Sequence, residues 1–172
     1  MEIIIAENSG FCFGVKRSVD LAHEALASDR EKYTVGPLIH NPQLVEKLEN
    51  QGLKVLTKEE ALKIKDSLIV IRAHGESAEF KESLLKNGNE ILDATCPVLR
   101  NIYKKIVAKE NDGYQVIIVG DPKHPEIIAM DSYLKNGIIV SDETEAKNIK
   151  SEKPLYVVSQ TTNRADFYYD IA

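Results

Sequence analysis

The chain has 172 residues, of which 43% are hydrophobic and 28% are charged, and its net charge at pH 7 is −5. This composition excludes collagen-like and disordered chains, and the apolar runs are far shorter than the ~20 residues of a membrane-spanning helix. Because no basic stripe is present and Trp is absent, neither nucleic acid nor a membrane is an expected partner. The length fits about one domain, with room for two small α/β units.

Short runs rich in Ile and Val recur along the chain and are separated by helical patterns. The runs do not alternate strictly between apolar and polar residues, which is typical of strands buried on both faces of a parallel sheet. Seven strands are predicted, at Glu2–Ala6, Tyr33–Leu38, Leu68–Ile71, Glu90–Ala94, Tyr114–Val119, Gly137–Val140 and Leu155–Ser159.

Apolar stripes and capping residues predict the helices between these strands. Asn41 caps a helix whose first residue is Pro42, and a capping box over Thr57–Glu60 opens a short one. Further helices are predicted over Val15–Leu26, from Pro97 to about Val107, from Pro125 to about Leu134, over Asp142–Ile149 and after Gln160–Asp166.

The alternation of strands and helices predicts an α/β fold in which small parallel sheets are covered by helices. A boundary near residues 96–97 divides the chain into residues 1–96, with an N-terminal strand and a first α/β unit, and residues 97–172, with a second unit. Nothing caps the last predicted helix before Ala172, so we expect the chain to be part of a longer protein.

Five of the six cysteine and histidine residues directly follow a predicted strand, namely Cys12, His40, His74, Cys96 and His124. Only His23 lies in the middle of a helix, where we expect it at the surface. Ligands of open parallel sheets bind at the edge where the carboxyl ends of the strands meet. The placement of these residues therefore predicts one convergent site.

Both cysteines lie at predicted helix starts, Cys12 in Ser9-Gly-Phe-Cys-Phe-Gly14 and Cys96 in Asp93-Ala-Thr-Cys-Pro97. A helix N-terminus stabilises the thiolate, which is the form that attacks or binds a metal. No signal peptide or disulfide framework is visible, so we expect a cytoplasmic protein with reduced thiols. Packing, reactivity and metal binding all remain open for these two residues.

His40 and His74 adjoin helix starts, where backbone N–H groups favour phosphate, so the pair predicts anion or metal binding. The alternative is that both are solvated loop histidines. His124 and Glu126 form either a proton-transfer pair or a helix start with a first-turn acid. Gln160–Thr162 offers polar ligands or a helix cap, and Lys58–Glu60 is expected to be a solvated face and its cap.

Six motifs occur in a fixed order along the chain, and they are Gly10–Val15, His40-Asn41, Ala73–Gly75, Asp93–Pro97, His124–Glu126 and Gln160–Thr162. Together they resemble the 4-hydroxy-3-methylbut-2-enyl diphosphate reductase family, over residues 3 to 166. Asp-Ala-Thr-Cys-Pro is the most specific of the six.

The resemblance implies a trefoil of three α/β units around a 4Fe–4S cluster, of which this chain would hold the first two. It implies an iron–sulfur oxidoreductase of the non-mevalonate isoprenoid pathway, supplied with electrons by a ferredoxin or flavodoxin. Such an enzyme removes the allylic hydroxyl of its diphosphate substrate and forms isopentenyl and dimethylallyl diphosphate.

Carried over residue by residue, the resemblance makes Cys12 and Cys96 cluster ligands and places the diphosphate at His40, His74 and His124. Glu126 would deliver protons with help from His124, Thr161 would position that acid and the substrate hydroxyl, and Gln160 would support the same network. The third cluster cysteine of the family has no counterpart here, so we expect this chain alone to be inactive.

Two rival functions remain from the residues themselves. Histidines and a glutamate at strand ends are also typical of a metal-dependent hydrolase, although no His-x-x-x-His or His-x-His spacing occurs. A phosphate-binding module without catalysis is the third possibility.

Overall fold

The computed structural model describes Ile4 and residues 9–172. Its first sheet has four parallel strands in the order β2-β1-β3-β4. The strands are β1 (Lys32–Val35), β2 (Lys54–Leu56), β3 (Leu68–Ile71) and β4 (Glu90–Asp93), and the helices beside them are α1 (Phe13–Leu26), α2 (Pro42–Asn50), α3 (Lys58–Ala61) and α4 (Ala78–Lys86).

The second sheet has three parallel strands in the order β6-β5-β7. Its strands are β5 (Gln115–Val119), β6 (Ile138–Val140) and β7 (Leu155–Ser159), and its helices are α5 (Pro97–Asn111), α6 (Pro125–Asp131), α7 (Glu143–Lys147) and α8 (Ala165–Ile171). Two parallel sheets flanked by helices confirm the predicted α/β class.

Each sheet is buried on both faces because successive residues of its central strands enter different cores. In β3, Leu68 and Val70 pack with α1 and α2, whereas Ile69 and Ile71 pack with α3 and α4. In β5, Val116 and Ile118 pack with α5 and α6, whereas Ile117 and Val119 pack with α8 and with Ile149 after α7. Two-sided burial explains why these strands read as continuous apolar runs rather than alternating patterns.

The predicted caps of two helices are confirmed. Asn41 accepts a hydrogen bond from the backbone N–H of Leu44 at 2.9 Å, with Pro42 as the first helical residue. Thr57 and Glu60 form a reciprocal capping box. The expected solvated face at Lys58–Glu60 is confirmed for Glu59 and Glu60, whereas the Lys58 ammonium lies 2.6 Å from the buried carboxylate of Glu76.

Two elements were not predicted, the edge strand β2 and helix α4. The strand has only three residues, which is too short to show a period. The helix begins after Ser77, whose hydroxyl caps Phe80 N–H, and it buries Phe80 and Leu84. The strand expected over Tyr33–Leu38 ends at Val35, and Leu38 enters the core from the loop that follows.

The strand predicted over Glu2–Ala6 lies outside the described residues, apart from Ile4. Within the part that the structure describes, no helix is both long and apolar enough to cross a membrane.

Candidate active site

His40 and His74 meet at the point where the first sheet reverses its strand order. The chain leaves β1 toward one edge of the sheet and leaves β3 toward the other, so a crevice opens between their carboxyl ends. The loops after these two strands carry His40 and His74, and their ring centroids are 5.0 Å apart in an edge-to-face arrangement. The topology thus brings together two residues that are far apart in the sequence.

The environment of His74 disfavours its charged form. Burial, followed by the nearby His40, Arg72 and His124, lowers the pKa of His74 from 6.5 to about 4. The ring is therefore neutral at pH 7 without a ligand. An anion bound beside it would offset these effects and raise the pKa again.

The second sheet repeats this arrangement with different chemistry. Its strand order reverses between β5 and β7, and the loops after these strands carry Glu126 and Thr161. Glu126 is only 2% exposed. Its two carboxylate oxygens accept hydrogen bonds from the backbone N–H of Thr161 at 2.6 Å and from the Thr161 hydroxyl at 2.8 Å. Thr161 thus fixes the orientation of a buried carboxylate.

His124 connects the two crevices. Its ring centroid lies 6.2 Å from that of His74. It also caps α6, since its Nδ1 accepts a hydrogen bond from the backbone N–H of Glu126 at 3.2 Å. The contact between His124 and Glu126 therefore runs through the main chain, while the carboxylate itself is bonded to Thr161.

Gln160 precedes Thr161 in the chain, and its side chain forms hydrogen bonds with Asp121 and Thr162. Its Oε1 accepts from the backbone N–H of Asp121 at 3.2 Å, and its Nε2 donates to the Thr162 hydroxyl at 2.7 Å. These bonds join the loops after β5 and β7, so the structure places Gln160 as a brace between the loops that carry Glu126 and Thr161.

The two cysteines occupy matching positions, because each is the residue before the first turn of a helix. Cys12 precedes α1 and is exposed, Cys96 precedes α5 and is half-buried, and neither thiol is used as a cap. Their helices meet closely at Gly14, where an added Cβ would lie 2.9 Å from Cys96 Sγ. The thiol of Cys96 thus lies against the first turn of α1.

Helix α1 is bonded directly to the segment before Cys96. The Arg17 guanidinium donates to the carbonyls of Asp93 and Thr95 at 3.3 and 3.4 Å. The Ser18 hydroxyl lies 3.3 Å from the carbonyl of Ala94. These bonds fix the two cysteine-bearing turns relative to one another.

Asp93 organises the turn that leads to Cys96, a role that the motif did not reveal. Its carboxylate accepts from the backbone N–H of Thr95 at 2.9 Å and from the Thr95 hydroxyl, and Lys81 and Arg100 lie beside it. Burial opposes ionisation, but the bonds from Thr95 and the two cations outweigh it and hold the pKa of Asp93 below its usual value.

A cavity of about 210 Å³ opens between the His40–His74 pair and α1. It is lined by Phe11, Val15, Leu38, Ile39, His40, Asn41, Ala73 and His74. One side is apolar and the other carries the imidazoles, a combination that suits a small ligand with a hydrocarbon part and an anionic part.

Comparison with known families identifies the architecture. The model of the LytB protein family matches residues 3–172. The chain belongs to the LytB family.

Curated relatives of this LytB chain carry the name 4-hydroxy-3-methylbut-2-enyl diphosphate reductase. The protein from Caldanaerobacter subterraneus is 41% identical over 99% of the chain and 61% of its own length. The protein from Aquifex aeolicus is 39% identical over 99% of the chain and 60% of its own length. The chain therefore spans about three fifths of the length of these relatives.

Solved structures agree with this assignment. A structure described as (E)-4-hydroxy-3-methyl-but-2-enyl diphosphate reductase, the terminal enzyme of the non-mevalonate pathway, matches 98% of the chain with a TM-score of 0.85 and 38% identity, over 61% of its own length. The reductase from Plasmodium falciparum matches 96% of the chain with a TM-score of 0.88 and 26% identity, over 53% of its own length.

Sequence reasoning missed a second buried glutamate of this LytB chain. Glu76 is 2% exposed and lies 2.6 Å from the Lys58 ammonium and 3.3 Å from the Arg72 guanidinium. Arg72 also contributes to the low pKa of His74. Nothing in the spacing of these three residues along the chain indicates that they meet.

Proposed function

We propose that this chain carries part of the active site of a 4-hydroxy-3-methylbut-2-enyl diphosphate reductase. The observation that supports this function best is the continuous line of His40, His74, His124, Glu126 and Thr161 across both sheets. Such a line offers an anion site at one end and a held carboxyl group at the other. The substrate of the named relatives has a diphosphate at one end and a hydroxyl group at the other.

The three histidines would bind the diphosphate. Neutral imidazoles donate one hydrogen bond each, and a protonated imidazole adds charge. Helix α2 begins two residues after His40, and the positive end of its dipole adds a favourable field for an anion.

Glu126 would supply a proton at the hydroxyl end. Replacing the allylic C–OH bond by a C–H bond consumes two electrons and two protons and releases one water. A proton donor near the leaving oxygen lowers the barrier because hydroxide is a poor leaving group. Thr161 holds the carboxyl group of Glu126 at a fixed place, and burial keeps bulk water from exchanging with it.

The donor set around the cysteines fits one side of a 4Fe–4S cluster. Thiolates are the ligands that iron–sulfur clusters take, and both thiols lie at helix N-termini without serving as caps. The missing side chain at Gly14 leaves the Cys96 sulfur room beside α1. Cys12 and Cys96 would hold the cluster, which when bound would supply the electrons, one at a time, and Lewis acidity at the hydroxyl. A ferredoxin or flavodoxin would deliver those electrons.

A metal-dependent hydrolase is less well supported. A hydrolytic zinc or manganese centre takes three or more protein ligands. Among the residues that the structure describes, no group of three His, Cys, Asp or Glu side chains is arranged to hold a metal ion.

The first test is anaerobic reconstitution of the chain with iron and sulfide, followed by absorbance and by iron and sulfide content. We expect uptake of both elements, with most of it lost in Cys12→Ser and in Cys96→Ser. His23→Gln, on the exposed side of α1, is the control that keeps full uptake. Equal uptake in the wild type and both cysteine variants would remove these thiols from the cofactor site.

The second test is calorimetric titration with inorganic diphosphate. We expect His40→Gln and His74→Gln each to weaken binding by about tenfold, the worth of one charge-assisted hydrogen bond. His23→Gln again serves as the control. Binding that is indifferent to both substitutions would place the anion elsewhere and leave the reductase site unsupported.

A further inference from the structure

Tyr103 lies at the junction of the two sheets, behind the line of histidines. It is 5% exposed and sits on α5, about two turns after Cys96. Its hydroxyl donates a hydrogen bond of 3.2 Å to the backbone carbonyl of His74. A tyrosine of the helix that Cys96 opens thus contacts the loop that carries a proposed diphosphate ligand.

The same ring contacts the end of the helix that carries Glu126. Tyr103 stacks on Tyr133, just beyond α6, with centroids 4.7 Å apart and planes inclined by 21°. The Lys81 ammonium from α4 lies 5.4 Å from the Tyr133 ring centroid. Next to this stack, the Ser132 hydroxyl accepts a bond of 3.3 Å from the backbone N–H of Ala78. The contact therefore joins α4, α5 and α6.

We propose that Tyr103 is a positioning residue that fixes the His40–His74 pair relative to His124 and Glu126. The inference rests on the proposed function in so far as these four residues serve one substrate. Neither pair bonds directly to the other, because the His74 and His124 rings are 6.2 Å apart. Their separation depends on main-chain contacts behind them, and the Tyr103 hydroxyl makes one of these contacts to His74 itself.

The local sequence fits this role. Gly75 has a φ of +82°, and a Cβ at this position would lie 2.6 Å from the Tyr103 hydroxyl oxygen. Glycine therefore leaves the space that the hydroxyl occupies. Burial, together with nearby Tyr133 and Glu126, raises the pKa of Tyr103, so the hydroxyl stays a hydrogen-bond donor throughout the physiological pH range.

The test compares Tyr103→Phe with the wild-type chain. Phenylalanine retains the stack on Tyr133 and removes only the bond to His74. The readouts are the titration of each histidine by NMR and the affinity for inorganic diphosphate. We expect the pKa of His74, set by its burial and by His40, Arg72 and His124, to rise from about 4 toward 6.5 as its loop loosens. We also expect diphosphate binding to weaken about three- to tenfold, which is the worth of one hydrogen bond.

Ile106→Val is the matched control for a purely structural effect. Ile106 is fully buried on the same helix and makes its contacts in the core of the second sheet. This variant is expected to lose unfolding stability while leaving the His74 titration and diphosphate affinity unchanged. Identical behaviour of Ile106→Val and Tyr103→Phe in these two readouts, whether both shift or both stay, would overturn the positioning role.

Ser132→Ala provides a second route if Tyr103→Phe does not fold. It removes the neighbouring bond to Ala78 and should move the His74 titration in the same direction by a smaller amount. An unchanged titration in that variant would overturn the proposal. Failure of the wild-type chain to bind diphosphate would instead count against the proposed function, and the histidine titrations would still decide the role of Tyr103.

Discussion

The two sheets each bury one glutamate at the carboxyl end of a central strand, and the two carboxylates have opposite surroundings. Glu76, after β3, lies between the cations of Lys58 and Arg72. Glu126, after β5, accepts hydrogen bonds from an N–H and a hydroxyl of Thr161, and among the described residues it forms no ion pair. Both side chains are 2% exposed.

The two glutamates therefore differ in how the protein holds them. Glu76 forms ion pairs with two cations and so links α3 to the loop of Arg72 and His74. Glu126 is held by neutral donors, both from Thr161, which orient the carboxyl group. This difference supports the proposal that Glu126, rather than Glu76, acts on the substrate.

Removal of the Glu76 charge should produce the largest loss of stability. Glu76→Gln leaves two cations facing a buried neutral amide, and we expect the free energy of unfolding to fall by about 3 kcal/mol. Urea unfolding at pH 7, with the exposed Glu79→Gln as the control, measures this loss. A loss no greater than that of the control would show that the two glutamates are not different in kind.

Glu126→Gln should show the reverse pattern. The amide retains one acceptor oxygen for Thr161, so we expect stability to fall by only about 1 kcal/mol. In a full-length LytB protein that carries the same substitution, substrate reduction should fall by about 100-fold, because the amide cannot deliver a proton. Diphosphate affinity should change little. A large stability loss without a loss of reduction would make Glu126 structural, like Glu76.

The burial of His74, together with the nearby His40, Arg72 and His124, should also make stability depend on pH. The pKa of His74 is about 4 in the folded chain and near 6.5 when unfolded. The part of the folding stability that comes from this pKa difference is therefore fully present above pH 6.5. It is lost as the pH falls toward 4, by about 1 kcal/mol once the partial exposure of His74 is allowed for. Urea unfolding between pH 7 and 4 should show a shallower decline in His74→Gln than in His23→Gln.

Thr161→Val should produce the smallest of these effects. Valine keeps the backbone N–H that bonds one oxygen of Glu126 and removes the hydroxyl that bonds the other, at a cost of about 1 kcal/mol. A double-mutant cycle with Glu126→Gln measures the coupling between the two side chains. Strict additivity would mean that the hydroxyl does not hold the carboxylate in solution.

The sequence predicted the elements that carry strong local signals. Continuous apolar runs indicated β3 and β5, and the caps at Asn41 and Thr57 indicated the starts of α2 and α3, because both signals depend on adjacent residues. The edge strand β2 has only three residues and gave no period. Helix α4 has a local signal as well, in the Ser77 cap followed by Phe80 and Leu84.

Placement after strands also predicted that the histidines and Glu126 lie near one another. The strand order was not predictable in this way, so the reversal points that pair His40 with His74 and Glu126 with Thr161 appear only in the structure. The same holds for Glu76, whose partners come from α3 and from the end of β3. Tyr103 looked like one apolar residue in a helix stripe, and its hydroxyl contact depends on packing between the two sheets.

The cap that His124 forms on α6 also determines which of its nitrogens carries the proton. Because Nδ1 accepts a hydrogen bond from Glu126 N–H, the neutral ring must exist as the Nε2–H tautomer. That tautomer gives the ring a donor on its other nitrogen without any change of charge. His124 can therefore offer a hydrogen bond to an anion while its ring is neutral, and the ¹⁵N chemical shifts of its two ring nitrogens would report this tautomer directly.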